Sequence, residues 1–169
     1  MMKALLMALV LTAVTALAGE EMVRPKLIAN PGFAKLTTLV GQWTGKCADG
    51  MATKATYRLV ADGSALEEDM NHDASSMVTM FHTDNGRLML THYCAAHNQP
   101  RMRAGTFREG DNQLAFKFLD ATNLPDQKAM HMHDLTFTFK DADHFQQEWT
   151  HYNDGKPGAK VVIEYERVK

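Results

Sequence analysis

Residues 90–100 read LTHYCAAHNQP, which sets two histidines and a cysteine close together in a chain with 2 cysteines and 8 histidines. Imidazole and thiolate suit Zn or Cu, and a thiol beside an imidazole is also a nucleophile–base pair. His131 and His133 repeat the i,i+2 spacing of His92 and Cys94. These four residues are candidate ligands for a transition metal or haem, although their spacing matches no zinc finger or ribbon. The chain also holds 12 methionines, a high number for its size. Their thioethers suit Cu(I), or simply fill irregular apolar space. Glu68 stands on an apolar face between Leu66 and Met70. A carboxylate there must find a donor or stay protonated.

What these side chains can do depends on the elements that aim them. Asn30-Pro31 reads as a helix start, with Phe33, Leu36 and Leu39/Val40 on one face and Gly41 as the stop. After Gly41 the apolar period switches to two. Turn signals divide the chain into ten predicted strands, at 42–48, 51–60, 64–70, 76–83, 87–95, 101–108, 112–119, 130–140, 143–151 and 159–168. Asn85-Gly86 is a two-residue hairpin signal. Short connections throughout imply an antiparallel meander. The expected fold is all-β: a single antiparallel up-and-down β-barrel of about ten strands, with a short N-terminal helix closing one end.

Alternation assigns the inward faces. They are Trp43, Gly45 and Cys47; Met51, Ala55, Tyr57 and Leu59; Leu66, Glu68 and Met70; Leu88, Leu90, His92 and Cys94; and Leu114, Phe116 and Phe118. The later strands give His131, His133, Leu135, Phe137 and Phe139; Phe145, Gln147, Trp149 and His151; and Val161, Ile163, Tyr165 and Arg167. The fourth strand is ambiguous, and a two-residue turn at Asn85-Gly86 favours Met77, Thr79 and Phe81. Met132 falls on the outer set. With Trp43 at the bottom, Cys47, Met70, Cys94, His131, His133 and His151 gather at the top, while His97 to Pro100 form a rim loop. A barrel this wide is expected to leave a cavity.

The helix followed by Gly41-Gln42-Trp43, with Arg167 on the last strand placed over the tryptophan, resembles the opening of the calycin superfamily. Ten strands are more similar to its fatty-acid-binding and nitrobindin-type barrels than to eight-stranded lipocalins. The block VTMFHTDNGRLMLTHYCAAHNQPRM, residues 78–102, resembles exported lipocalin-like proteins of bacteria. The resemblance implies a structural role for Trp43 and Arg167. It brings no haem, since the nitrobindin haem motif around a late histidine is absent, and it names no cofactor.

Three readings follow. The leading one is a binding protein for a small hydrophobic or amphipathic ligand with a polar head. Its lumen residues would be Tyr57, Glu68, Met70, Met77, His92, Cys94, Phe116, Phe118, His131, His133, Gln147, Trp149 and His151. The second is the metal or haem site at the mouth. The third is an acid–base enzyme using Glu68 and a histidine. The net charge of −2 is interspersed along the chain, so nothing points to nucleic acid or an anionic membrane. Residues 1–18 read as a signal peptide, with a short apolar run unsuited to a membrane span and cleavage near Ala18-Gly19. Residues 19–40 are then a lead-in and short helix, and 41–169 the barrel. Export to the periplasm or medium is expected. Strand spacing argues against pairing Cys47 with Cys94, and oligomeric state is not readable.

Overall fold

The computed structural model describes residues 26–72 and 74–169. The expected signal peptide lies outside the described residues.

Helix α1, Pro31–Thr37, begins as expected: Asn30 is extended and its Oδ1 accepts from Phe33 N–H at 2.9 Å, with Pro31 at the first helical position. It ends before Gly41, because Thr38, Leu39 and Val40 close onto carbonyls three residues back in a tightened last turn. Gly41, with φ of +131°, then redirects the chain into the first strand. Ten strands follow: β1 Gly41–Cys47, β2 Ala52–Val60, β3 Ala65–His72, β4 Ser75–Asp84 and β5 Arg87–Tyr93. The rest are β6 Gln99–Ala104, β7 Gln113–Thr122, β8 His131–Phe139, β9 His144–Asn153 and β10 Lys156–Arg167. Each pairs antiparallel with its sequence neighbour, and β1 pairs with β10, so the sheet is a closed up-and-down barrel.

The bottom is sealed. Asn30 Nδ2 donates to the Gly86 carbonyl at 2.9 Å, which ties the helix start to the β4–β5 turn. A Cβ on Gly32 would meet Leu88 at 3.0 Å and Leu114 at 3.3 Å, so this glycine lets α1 lie directly on the barrel end. The Arg167 guanidinium sits 4.2 Å from the Trp43 ring centroid and donates to the carbonyls of Thr38 and Val40. Trp43 Nε1 donates to the Leu39 carbonyl at 2.7 Å.

The interior differs from the expected open lumen. Trp43, Tyr57, Phe81, Phe116, Phe137, Phe145 and Trp149 are all buried in it; the rings of the first six contact one another edge-on, tilted or stacked, and Trp149 packs on His92. Large aromatic residues from facing strands thus fill the space that strand number alone would leave. Leu59 and Met51, expected inside, are 47% and 38% exposed: Leu59 lies at the end of β2, and Met51 in the turn before it.

Three register shifts occur, between Arg101 and Met102, between Met132 and Asp134, and between Pro157 and Lys160. All lie toward the top. Each breaks the strict alternation from which the inward faces were read. The rim loop is also shorter than expected: Gln99 and Pro100 already belong to β6, and Asn98 is buried with its Nδ2 donating to the Met130 carbonyl at 2.7 Å.

Candidate functional site

Glu68 is fully buried on β3. Its Oε1 accepts from Tyr57 Oη and from Gln147 Nε2, each at 2.6 Å, and Gln147 also donates to Tyr57 Oη at 2.8 Å. Trp149 Nε1 donates to Gln147 Oε1 at 3.0 Å, which fixes that amide's orientation. Tyr57 and Gln147, read in the sequence as contacts for a ligand head group, are therefore spent on the carboxylate. Burial raises the Glu68 pKa, and the hydroxyls and amide around it hold the rise back. Tyr57 is pushed well up by burial and by the charge of Glu68.

Thr79 stands directly across the β3–β4 pair from Glu68. Its hydroxyl helps to hold the carboxylate's charge, although Glu68 Oε2 has no partner of good hydrogen-bond geometry. On its other side, Thr79 Oγ1 lies 2.9 Å from His92 Nδ1. A hydroxyl proton turned toward the carboxylate makes Oγ1 the acceptor of His92 Nδ1–H. That assignment leaves the imidazole lone pair on Nε2. Nε2 is buried and has no partner among the described residues. Burial depresses the His92 pKa to about 4, so the ring is neutral at neutral pH.

His92 borders a chamber of about 80 Å³ near the top of the barrel. Met70 and His72 of β3, Met77 of β4, Met132 of β8, Trp149 of β9, and Val161 and Ile163 of β10 complete its wall. Met70 and Met77 face each other across the β3–β4 pair, and Tyr165 Oη donates to Met70 Sδ at 3.2 Å. The Trp149 indole packs against His92 with centroids 4.7 Å apart. Behind His72, Cys47 Sγ lies 3.7 Å from Nδ1, its thiol pKa raised by burial. Larger depressions on the outside, up to about 550 Å³, contain none of these buried polar groups.

The sequence-derived metal set does not come together. An extra residue in β8 between Met132 and Asp134 brings Met132 to the chamber, which His131 and His133 do not line, although His131 is buried and its Nε2 has no partner among the described residues. Those two histidines pack instead with Phe118 and Tyr152: His133 stacks on Tyr152 at 3.7 Å, and Phe118 lies 4.6 Å from His131. His131 Nδ1 is 2.8 Å from the Ala129 carbonyl, and His133 Nδ1 is 3.2 Å from Asp134 Oδ1. Cys94 sits in the turn closed by its own N–H and the Asn98 carbonyl, half-buried, with its thiol pKa raised by burial. Among the described residues no group of three or more His, Cys, Asp or Glu converges, and both cysteines are free. Phe116 is aromatic core with Phe81 and Phe137. The His151 ring lies on the backbone of Gly158, where any Cβ would strike it.

Sequence reading missed His72, Met132 and Thr79 as site residues. The alternation Leu66, Glu68, Met70 continues to His72, and this signal was hidden by reading residues 71–75 as a turn. Nothing in the pattern around Met132 marks the bulge.

No protein-family model matches the chain, and no curated protein matches it in sequence. Among solved structures, the fold resembles a protein of unknown function from the DUF3598 family of Nostoc punctiforme, with a TM-score of 0.53 and 15% identity over 89% of this chain. This chain spans about half of that one, 53% of its length. A more distant similarity, TM-score 0.34 and 11% identity, covers 79% of this chain and 96% of EF1p2_mFAP2b, whose structure is bound to DFHBI.

Proposed function

We propose that this protein is a small-ligand-binding barrel whose site is the chamber beside His92. One observation carries the reading: His92, whose buried Nε2 has no partner among the described residues, lines an unfilled space near the top of the barrel. Buried polar atoms are ordinarily satisfied, and an exception calls for an occupant. The chamber, at about 80 Å³, is far below the roughly 300–1,000 Å³ of pockets that take drug-sized molecules. The occupant is therefore an ion or a molecule of a few heavy atoms, not the extended apolar ligand that the barrel's width suggested. Glu68 is a support rather than a reacting group on this reading, since its carboxylate is held by Tyr57 and Gln147 and does not border the chamber.

We infer as well that residues 1–18 direct export and are removed, leaving a chain that meets its ligand outside the cytoplasm. The apolar run and the Ala16-Leu17-Ala18 sequence support this. N-terminal sequencing of the protein from its own host checks it, and a sequence starting at Gly19 is expected.

The chamber is tested by native mass spectrometry of untagged protein from that host, together with Val161→Phe, whose ring fills the space. The wild-type protein is expected to carry a small mass increment that V161F lacks. An unliganded wild-type protein, or an increment unchanged in V161F, overturns the reading.

A further inference from the structure

Resting on that reading of the chamber, we propose that its occupant is a single soft monovalent metal ion, Cu(I), for which Ag(I) is the redox-inert stand-in. The donors are His92 Nε2 and the thioethers of Met77 and Met132, with Met70 as a further sulfur.

The choice follows from what the wall contains and what it lacks. Three methionines and two imidazoles, His92 and His72, border one small space, and no carboxylate or thiolate does. A divalent ion such as Zn²⁺ would bring two charges into an apolar cavity with no anion to meet them, at a large desolvation cost. Thioether and imidazole donors are soft and neutral, and suit a singly charged, soft ion. Trp149 contributes an indole to the same wall, whose π-system is attractive to a cation. Tyr165 Oη occupies one lone pair of Met70 Sδ and leaves the other. Met70 and Met77 are cross-strand partners on β3 and β4, while Met132 reaches the chamber from β8 only because of the bulge. The bulge thus brings sulfur to the chamber from two sides.

His92 is prepared for this role from behind. The Thr79 hydroxyl on Nδ1, itself beside the Glu68 carboxylate, fixes ring orientation and tautomer as outer-shell partners of metal-bound imidazoles do. Met51 and Met130, just before β2 and β8 at the same end, are exposed at 38% and 43% and offer further thioethers outside the chamber.

The test is an anaerobic, chloride-free titration of the signal-free protein in a C47S/C94S background, which removes both thiols as competing ligands. Silver nitrate is one probe. Cu(I) held by a chromophoric chelator is the other. One equivalent per chain is expected, with quenching of tryptophan fluorescence. M77L and M132L, which keep side-chain volume, should each weaken binding at least about tenfold, and T79V about tenfold or more. M80L and M89L, on the outer face, should leave it unchanged. Absence of saturable Ag(I) binding, binding indifferent to M77L and M132L, or equally tight Zn(II) binding overturns the inference. The two readings separate cleanly. An organic increment that V161F excludes, with no Ag(I) binding, sinks the metal and keeps the chamber. An empty wild-type chamber that also ignores Ag(I) sinks both.

Discussion

At the scale of single residues, the two buried titratable groups joined through Thr79 pull stability in opposite directions with pH. His92 is depressed from 6.5 to about 4 in the folded chain. Its contribution is complete above pH 6.5 and is lost as pH falls through about 4, because the unfolded imidazole takes up a proton that the folded one resists. A shift of this size corresponds to about 3 kcal/mol. His92→Gln isolates the imidazole: relative to this variant, wild type should lose stability of that order in denaturant unfolding from pH 7 to pH 4. A difference between the two that does not change with pH would contradict the burial argument. Glu68 is raised above its usual 4.5. It costs the fold nothing at low pH and progressively more as pH rises from 4.5 through its folded value, where ionisation in the interior is resisted. Glu68→Gln keeps an acceptor for Tyr57 and Gln147 and removes that cost. Its melting temperature relative to wild type should climb between pH 4 and pH 7, and a constant difference would show that the carboxylate is not strained by ionisation.

Individual elements show where alternation serves as a guide and where it fails. On β3 and β5 the pleat is regular, so the inward placement of Glu68, Met70, Leu90 and His92 was legible from period two alone. On β8 one extra residue brings Met132 to the chamber, while His131, although buried, does not line it. A bulge leaves little trace in a hydrophobic pattern, because Met132 and the histidines are acceptable on either face. The metal set read from the sequence failed for that reason, while His92, on a regular strand, survived as the centre of the site. Glycines supply a second element-level constraint. A Cβ at Gly45 on β1 would lie 2.6 Å from Tyr165 and 2.9 Å from Ile163, two residues at the core of β10. Gly45→Ala should therefore destabilise by about 1–3 kcal/mol through overpacking. An unchanged chemical-denaturation midpoint would show that β1 and β10 have slack at this point.

The whole molecule is a barrel closed at the bottom by its helix, with a small chamber near the top. Its strand number, connection order and closing helix were legible because turn signals and short connections leave a meander little choice but to close. The degree of filling was not legible, since it depends on how six aromatic rings from several strands interlock, a three-dimensional fact with no sequence period. Arg167 ties β10 to the backbone after α1 at the bottom of the barrel. Arg167→Met keeps the stem and removes the hydrogen bonds, and should cost about 1–3 kcal/mol in denaturant unfolding. No change would mean that the helix seals the barrel without it. The central claim is that His92 presents a lone pair on Nε2 to an unfilled chamber, and nitrogen NMR of the imidazole rings tests it most directly. At neutral pH, His92 should show a proton on Nδ1 and none on Nε2, and one equivalent of Ag(I) should shift its Nε2 while leaving the rings of His131 and His133 unmoved. A proton on His92 Nε2, or an Nε2 resonance indifferent to Ag(I) while other histidines respond, would contradict it.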